Sequence, residues 1–325
     1  MLLIGLTGGI GAGESTVARV LERAGAAIVD ADAIAREVVA PGAPALARLV
    51  EAFGADILDA EGRLDRPALA AVAFADADST ARLNGIMHPA IAERAAELFA
   101  LHADRDLVVH DVPLLVENAM SPRYHLALLV DVPAPVRLTR LVESRGMDRA
   151  DAERRIAAQA GDPERYRACD VVVDNTGDPA DTAARVERLV AERLLPFSRN
   201  LAAERPAERR PAAAGSAAPA PEHPGERAWV SERVVARLRH ALDEAGLGSV
   251  ELAAVDDPAA DLVTVTLDLG AGTDSAALAA ALTAAGYPAA EGSDPDATGQ
   301  QSARGLHRNA DPGRPVDVRI SPATR

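Results

Sequence analysis

Residues Gly8 to Ser15 read G-G-I-G-A-G-E-S. They follow G-x-x-x-x-G-K-[ST], a phosphate-binding loop, except that Glu14 stands where the pattern has lysine. The chemistry implied is the holding of a nucleotide triphosphate. Glycines let successive backbone N–H groups turn toward one anion. The helix that follows adds the partial positive charge of its N-terminus. Ser15 supplies the hydroxyl that coordinates Mg²⁺ in this pattern, and the missing lysine would bridge the β- and γ-phosphates. The expected nucleotide-binding set is therefore Gly8, Gly9, Gly11, Ala12, Gly13, Glu14, Ser15 and Thr16. A flexible turn is the plain alternative for any glycine-rich stretch. The flanks decide against it: Leu2 to Leu6 is a short apolar run suited to a buried strand, and Val17, Ala18 and Leu21 have helical spacing.

Glu14 puts a negative charge where a positive one is needed. All 34 of the Lys and Arg residues are arginine, so no lysine elsewhere can reach into the loop. Any compensating charge must come from an arginine. Two unit charges ~4 Å apart interact by about 4 kcal/mol at an effective dielectric near 20. A surviving penalty of about 3–5 kcal/mol corresponds to roughly 10²–10⁴ in rate or affinity.

The elements that must position this loop are legible further along the chain. Residues 1 to about 200 alternate short apolar runs with helical patterns, which predicts an α/β domain with a mainly parallel sheet. Candidate strands after the first are Ala27–Val29, Leu107–Val109, Leu126–Val130 and Val171–Val173. Asp30, Asp111, Asp131 and Asp174 follow these runs. Ligands of open parallel sheets lie beyond the strands' carboxyl ends, so these acids are on the edge where chemistry happens. As turn and cap residues they would need no such role. The long stretch Ala33 to Ala103, rich in helix formers and broken at Pro41-Gly42, Phe53-Gly54 and Glu61-Gly62, predicts a helical substrate-binding subdomain.

The chain has 325 residues, enough for two domains, with 48 % hydrophobic but only 2 % aromatic residues. Its net charge of −15 argues against nonspecific binding to nucleic acid or to an anionic membrane. Cys169 is the single cysteine, so no intrachain disulfide forms, which suits a reducing cytoplasm. No apolar run reaches membrane-spanning length, and the N-terminus reads as a strand rather than a leader.

The motifs taken in order resemble the dephospho-CoA kinase family. They are G-L-T-G-G-I-G-A-G at Gly5 to Gly13, D-A-D-A-I-A-R at Asp30 to Arg36 and G-x-L-D-R at Gly62 to Arg66. They continue with H-P-x-I at His88 to Ile91, D-V-P-L-L-V-E at Asp111 to Glu117, R-I-A-A-Q at Arg155 to Gln159 and D-N-x-G at Asp174 to Gly177. The resemblance implies a P-loop nucleoside-monophosphate-kinase-like fold with a helical subdomain and a lid. It further implies ATP and Mg²⁺ as cofactors and dephospho-CoA as partner substrate. By the same resemblance Asp32 is the catalytic carboxylate, acting on the ribose 3′-hydroxyl that attacks the γ-phosphate. Arg140 is a phosphate-contacting lid arginine, and Asn175 lies on the adenine side. Leu64, Asp65 and Arg66 lie on the acceptor side. Asp30 is read as structural and expected on the side opposite Asp32. Arg137, Arg145 and Arg149 are lesser candidates to help Arg140, each read by preference as part of a solvated arginine-rich helix; His88 is read as the start of a helix, and Cys169 as core.

From Pro206 to Gly225 the chain turns Pro/Ala/Glu-rich, as a linker would. Val230, Val234, Leu238 and Leu242 then share one helical face, while Val263, Val265 and Leu267, like Val316, Val318 and Ile320, alternate as strands do. The expected organisation is residues 1–200, a linker 201–226 and a small α/β module 227–325. The stretch His307 to Pro315 resembles a GrpB-type, nucleotidyltransferase-like domain, shortened and without catalysis of its own, which implies a folding or stabilising role. Two functions stay open at this point: an active kinase in which arginine covers the phosphates, or a protein that binds dephospho-CoA and turns over slowly or not at all.

Overall fold

The computed structural model describes residues 1–208, 226–255, 263–268, 273–290, 306–313 and 316–321. Most of the expected linker, residues 209–225, lies outside the described residues, as do 256–262, 269–272, 291–305, 314–315 and 322–325 of the expected module.

In chain order, β1 (Leu2–Gly8) and α1 (Glu14–Arg23) are followed by β2 (Ala27–Asp30), α2 (Ala31–Glu37), α3 (Pro44–Phe53), α4 (Arg66–Ala73) and α5 (Ala77–Leu101). Then come β3 (Leu107–Asp111), β4 (Leu126–Asp131), α6 (Ala134–Thr139), α7 (Arg149–Ala157), α8 (Asp162–Ala168), β5 (Val171–Asp174), α9 (Pro179–Leu189) and α10 (Leu195–Ala202). The first sheet has the order β2-β3-β1-β4-β5. β1 runs parallel to β4, pairing Ile4 with Leu126 and Leu6 with Leu128, and β4 runs parallel to β5. Leu2, Ile4, Leu6, Leu126 and Leu128 are fully buried. Central parallel strands are covered on both faces, which is why these segments read as continuous apolar runs rather than alternating ones.

The chain divides into two compact units, one of residues 1–27, 105–109 and 113–325, the other of residues 28–104 and 110–112. The second unit is the helical insertion. Val39, Ala45, Leu49, Ile57, Leu69 and Ala73 form its core, against which Leu83, Ile86 and Met87 of α5 pack. Two readings change here. β2 stops at Asp30, and α2 begins at the next residue, with Asp30 Oδ1 accepting from the Ala33 N–H at 2.8 Å. Asp30 is thus a helix cap, structural as read, but strand geometry does not place it relative to Asp32; a continuing strand would have put both on one face. His88 and Pro89 do not start a helix. They lie inside α5, whose start is fixed by Asp76 accepting from the Ser79 N–H.

In the first unit, α11 (Glu226–Glu244), β6 (Glu251–Val255), β7 (Val263–Asp268), α12 (Ser275–Ala284), β8 (Leu306–Arg308) and β9 (Val316–Ser321) build a second sheet, ordered β6-β7-β9-β8. Val234, Leu238 and Leu242 of α11 pack with Val265, Leu267, Leu278, Leu282, Val316 and Val318. The helical face seen in the sequence therefore serves this sheet's own core.

Candidate functional site

β1 delivers the glycine loop at its carboxyl end, and α1 begins at Glu14. Gly11 and Gly13 have φ of +85° and +93°, a region that favours glycine. The Ala12 N–H closes a turn on the Gly9 carbonyl at 2.7 Å. Two neighbours hold this loop from outside. Gln159 Oε1 accepts from the Ile10 N–H at 2.7 Å, and Arg165 donates to the same oxygen. Asn175, buried at the end of β5, donates from Nδ2 to the Ala12 carbonyl at 2.6 Å, and its Oδ1 accepts from Thr182. A methyl group on Gly13 would come within 2.5 Å of Asn175 Nδ2.

Glu14 folds back into this loop. Its Oε2 accepts from the Gly13 N–H at 3.1 Å, and its other oxygen lies against Gly8. An anion thus already occupies part of the cradle, and it belongs to the chain itself. Burial raises the Glu14 pKa above the usual carboxylate range. The Glu14 and Gly13 N–H groups, and the charges of Arg145 and Arg165, offset only part of that rise. Ser15 is exposed on the first turn of α1, and Thr16 half-buried.

The arginines divide differently from the sequence reading. Arg140 is the first residue of a π-helical turn that prolongs α6, a distortion frequent at functional sites. Its guanidinium donates to the carbonyls of Ala12, Asn175 and Thr176, at 3.4, 2.7 and 3.4 Å. It therefore ties the loop to the end of β5. Arg137 is not solvated: it is 3 % exposed, donates from Nε to the Val132 carbonyl, and packs on Gly9 closely enough to leave no room for a side chain there. Its Nη1 is buried without a hydrogen-bond partner. Its contact with Gly9, far away in sequence, is not visible in a helical pattern, which groups Arg137 with its neighbours. Arg149 does conform, being exposed and paired with Glu153. Gln159 and Arg165 were not assigned to the site. R-I-A-A-Q is one of the motifs that carry the resemblance, but nothing in its spacing says that Gln159 meets Ile10.

Asp32, Leu64, Asp65 and Arg66 belong to the second unit. Asp32 is exposed on the first turn of α2. Asp65 caps α4, accepting from the Ala68 N–H at 3.0 Å, and Arg66 is exposed at the first position of that helix. Leu64 bridges to Leu58. Cys169 is buried against Ala127 and Leu129, as read, and burial pushes its thiol up to about 12. Among the described residues no group of three or more His, Cys, Asp or Glu could hold a metal ion, and no helix is long and apolar enough to cross a membrane.

The dephospho-CoA kinase family model matches residues 2–181. A dephospho-CoA kinase of Mycolicibacterium paratuberculosis is 44 % identical over 342 residues, covering 98 % of this chain and 82 % of the relative. One of Corynebacterium efficiens is 51 % identical over 196 residues, covering 60 % of this chain but 98 % of the relative. Among solved structures, a Thermus thermophilus protein is 32 % identical with a TM-score of 0.52, covering 59 % of this chain and 97 % of that one. With the glycine loop at the carboxyl end of β1 and the parallel sheet around it, the chain belongs to the dephospho-CoA kinase family.

Proposed function

We propose that this chain transfers the γ-phosphate of ATP to the ribose 3′-hydroxyl of dephospho-CoA, giving coenzyme A. The observation that carries the reading is the glycine loop held from outside by Gln159 and Asn175, with the buried, incompletely bonded Arg137 against it. A buried guanidinium N–H without an acceptor costs about 1–3 kcal/mol. A phosphate oxygen in the loop would supply that acceptor. Arg137, rather than Arg140, is then the arginine that offsets Glu14, while Arg140 fixes the loop's shape through the carbonyls it already binds.

Asp32 is proposed to orient the attacking hydroxyl and to take its proton. Asn175 lies on the adenine side, and Leu64, Asp65 and Arg66 on the acceptor side. The exposed Ser15 hydroxyl suits a Mg²⁺ ion that arrives on the nucleotide, since Mg²⁺ keeps waters and phosphate oxygens and needs no all-protein cage. Such an ion would neutralise charge between the β- and γ-phosphates. The division into residues 1–200, 201–226 and 227–325 is part of the proposal. The Corynebacterium efficiens match, nearly complete on the relative's side over 196 residues, supports it. The reaction is placed in the cytoplasm, consistent with a single buried thiol.

A second reading is favoured by one observation, the Glu14 carboxylate on the Gly13 N–H. Here the fold binds dephospho-CoA, but the loop admits ATP poorly. A coupled ADP-release assay separates the two. ADP release that depends on dephospho-CoA supports the kinase. Binding of dephospho-CoA without release, restored by Glu14→Lys, supports the second.

A further inference from the structure

The two elements that hold the glycine loop from outside, α8 with Arg165 and β5 with Asn175, are joined by a short stretch ending in Asp170. That joint is gripped by helix α11. Arg233, 7 % exposed, donates from Nη1 to the carbonyls of Tyr166 and Arg167 at 3.3 and 2.9 Å, and from Nε to Asp170 at 3.2 Å. The last carbonyls of a helix have no partner within it, so Arg233 completes the end of α8. Arg237, equally buried, donates to the Tyr124 carbonyl and to the other Asp170 oxygen, both at 2.7 Å. That same oxygen accepts from the Ala127 N–H of β4, and the Asp170 N–H donates back to the Ala127 carbonyl. Burial alone would push the Asp170 carboxyl up, but Arg237, then Arg233, and the Ala127 N–H outweigh it and hold it below its usual range.

Each arm of the joint leads to the loop. From α8, Arg165 bonds Gln159, which holds the Ile10 N–H, and Tyr166 donates to Asp131 at the end of β4. From β5, Asn175 holds the Ala12 carbonyl, and its own N–H is fixed by the Asp131 carbonyl. We propose that Arg233 and Arg237 are positioning residues for the nucleotide loop, setting through the α8–β5 joint where Gln159 and Asn175 meet it. Residues 227–325 then act on the reaction by geometry and not only by adding stability. Part of this rests on the nucleotide reading above, because it takes the loop to be the ATP site.

The module also grips the rest of the unit elsewhere, which supplies a control. Arg193 forms a two-bonded ion pair with Asp311, at 3.0 and 2.7 Å; its charge reaches Asp170, but it donates no hydrogen bond to the joint. The experiment compares full-length Arg233→Gln, Arg233→Lys and Arg193→Gln by hydrogen exchange without ligand, thermal denaturation, and ATP and dephospho-CoA titrations in the Glu14→Lys background. We expect Arg233→Gln to speed amide exchange in residues 8–13 and 159–177 by at least about tenfold and to weaken ATP binding by a similar factor. Dephospho-CoA affinity should stay within about twofold. Arg233→Lys should recover part of both losses. Arg193→Gln should lower the melting temperature without either local effect. Faster exchange spread evenly over the chain, or equal effects of the two Gln variants, would reduce Arg233 to a stabilising contact and overturn the proposal. Because exchange needs no turnover, a chain that bound no ATP in any background would refute the nucleotide reading while leaving the positioning result standing or falling by itself.

Discussion

Replacing Glu14 with lysine should raise dephospho-CoA-dependent ATP turnover by at least about tenfold, and by as much as 10²–10⁴. The carboxylate is not merely near the loop. It accepts the Gly13 N–H at 3.1 Å and touches Gly8, so phosphate must displace it or lie against it. A phosphate oxygen bearing one charge at ~4 Å would be repelled by about 4 kcal/mol at an effective dielectric near 20, and lysine would reverse the sign. Three effects would reduce the swing: outward rotation of Glu14 when phosphate enters, screening by a Mg²⁺ ion carried on the nucleotide, and burial, which favours the protonated form of Glu14. About 3–5 kcal/mol survives, which includes the lost lysine contact. The assay is coupled ADP release with dephospho-CoA saturating and ATP varied. Both kcat and the ATP KM should respond, because the charge acts on bound ATP and on the transition state. Glu14→Gln should fall between the two, since it removes the repulsion without adding the bridge. Equal rates for the three proteins, all folded, would refute the electrostatic argument.

Arg137→Gln should cost more in ATP affinity in the unaltered chain than in Glu14→Lys, because lysine takes over part of its charge; equal losses in a double-mutant cycle would deny that Arg137 compensates Glu14. Asp32→Asn in the Glu14→Lys background should abolish turnover with ATP affinity kept within about a few-fold, as measured by kinetics and titration. If Asp30→Asn were the more damaging change, the capping role of Asp30 would not be its main one. Asn175→Ala leaves the Ala12 carbonyl with only the longer Arg140 bond and the Thr182 hydroxyl with only the Asp178 carbonyl, so scanning calorimetry should show a loss of about 1–3 kcal/mol, with weaker ATP binding. Burial raises the pKa of Glu14, so the folded chain holds this proton more tightly than the unfolded one. Stability from this group is fully present below the unfolded pKa and is lost as pH rises through the folded one. Glu14→Gln should therefore gain on the unaltered chain as pH rises from about 4 to 7 in denaturant titrations, and a constant difference would contradict the buried placement.

The sheet is legible because all five strands are apolar runs: β1, β3 and β4 are buried on both faces, and the edge strands β2 and β5 stay apolar although they are partly exposed. The glycine loop was legible because its backbone needs residue types that few other structures need. Asp30 and His88 mark where pattern reading stops. Whether a strand ends at Asp30 or runs on depends on the Ala33 N–H finding a cap, and Pro89 is tolerated within α5 although proline usually ends a helix. Gln159 and Arg137 were hidden for a different reason. Their contacts with Ile10 and Gly9 join residues far apart in sequence, and a helical repeat carries no information about such partners. β8, with three residues, and α12, nearly all small apolar side chains, offer too little periodicity to be read at all.

The measurement that bears most directly on the function is phosphorus NMR of the product formed from ATP and dephospho-CoA by the full-length chain and by Glu14→Lys. A ribose 3′-phosphomonoester signal should grow in step with ADP, faster with lysine at position 14. ADP formed without that signal, or no signal with either protein while both bind dephospho-CoA, would contradict the proposed function.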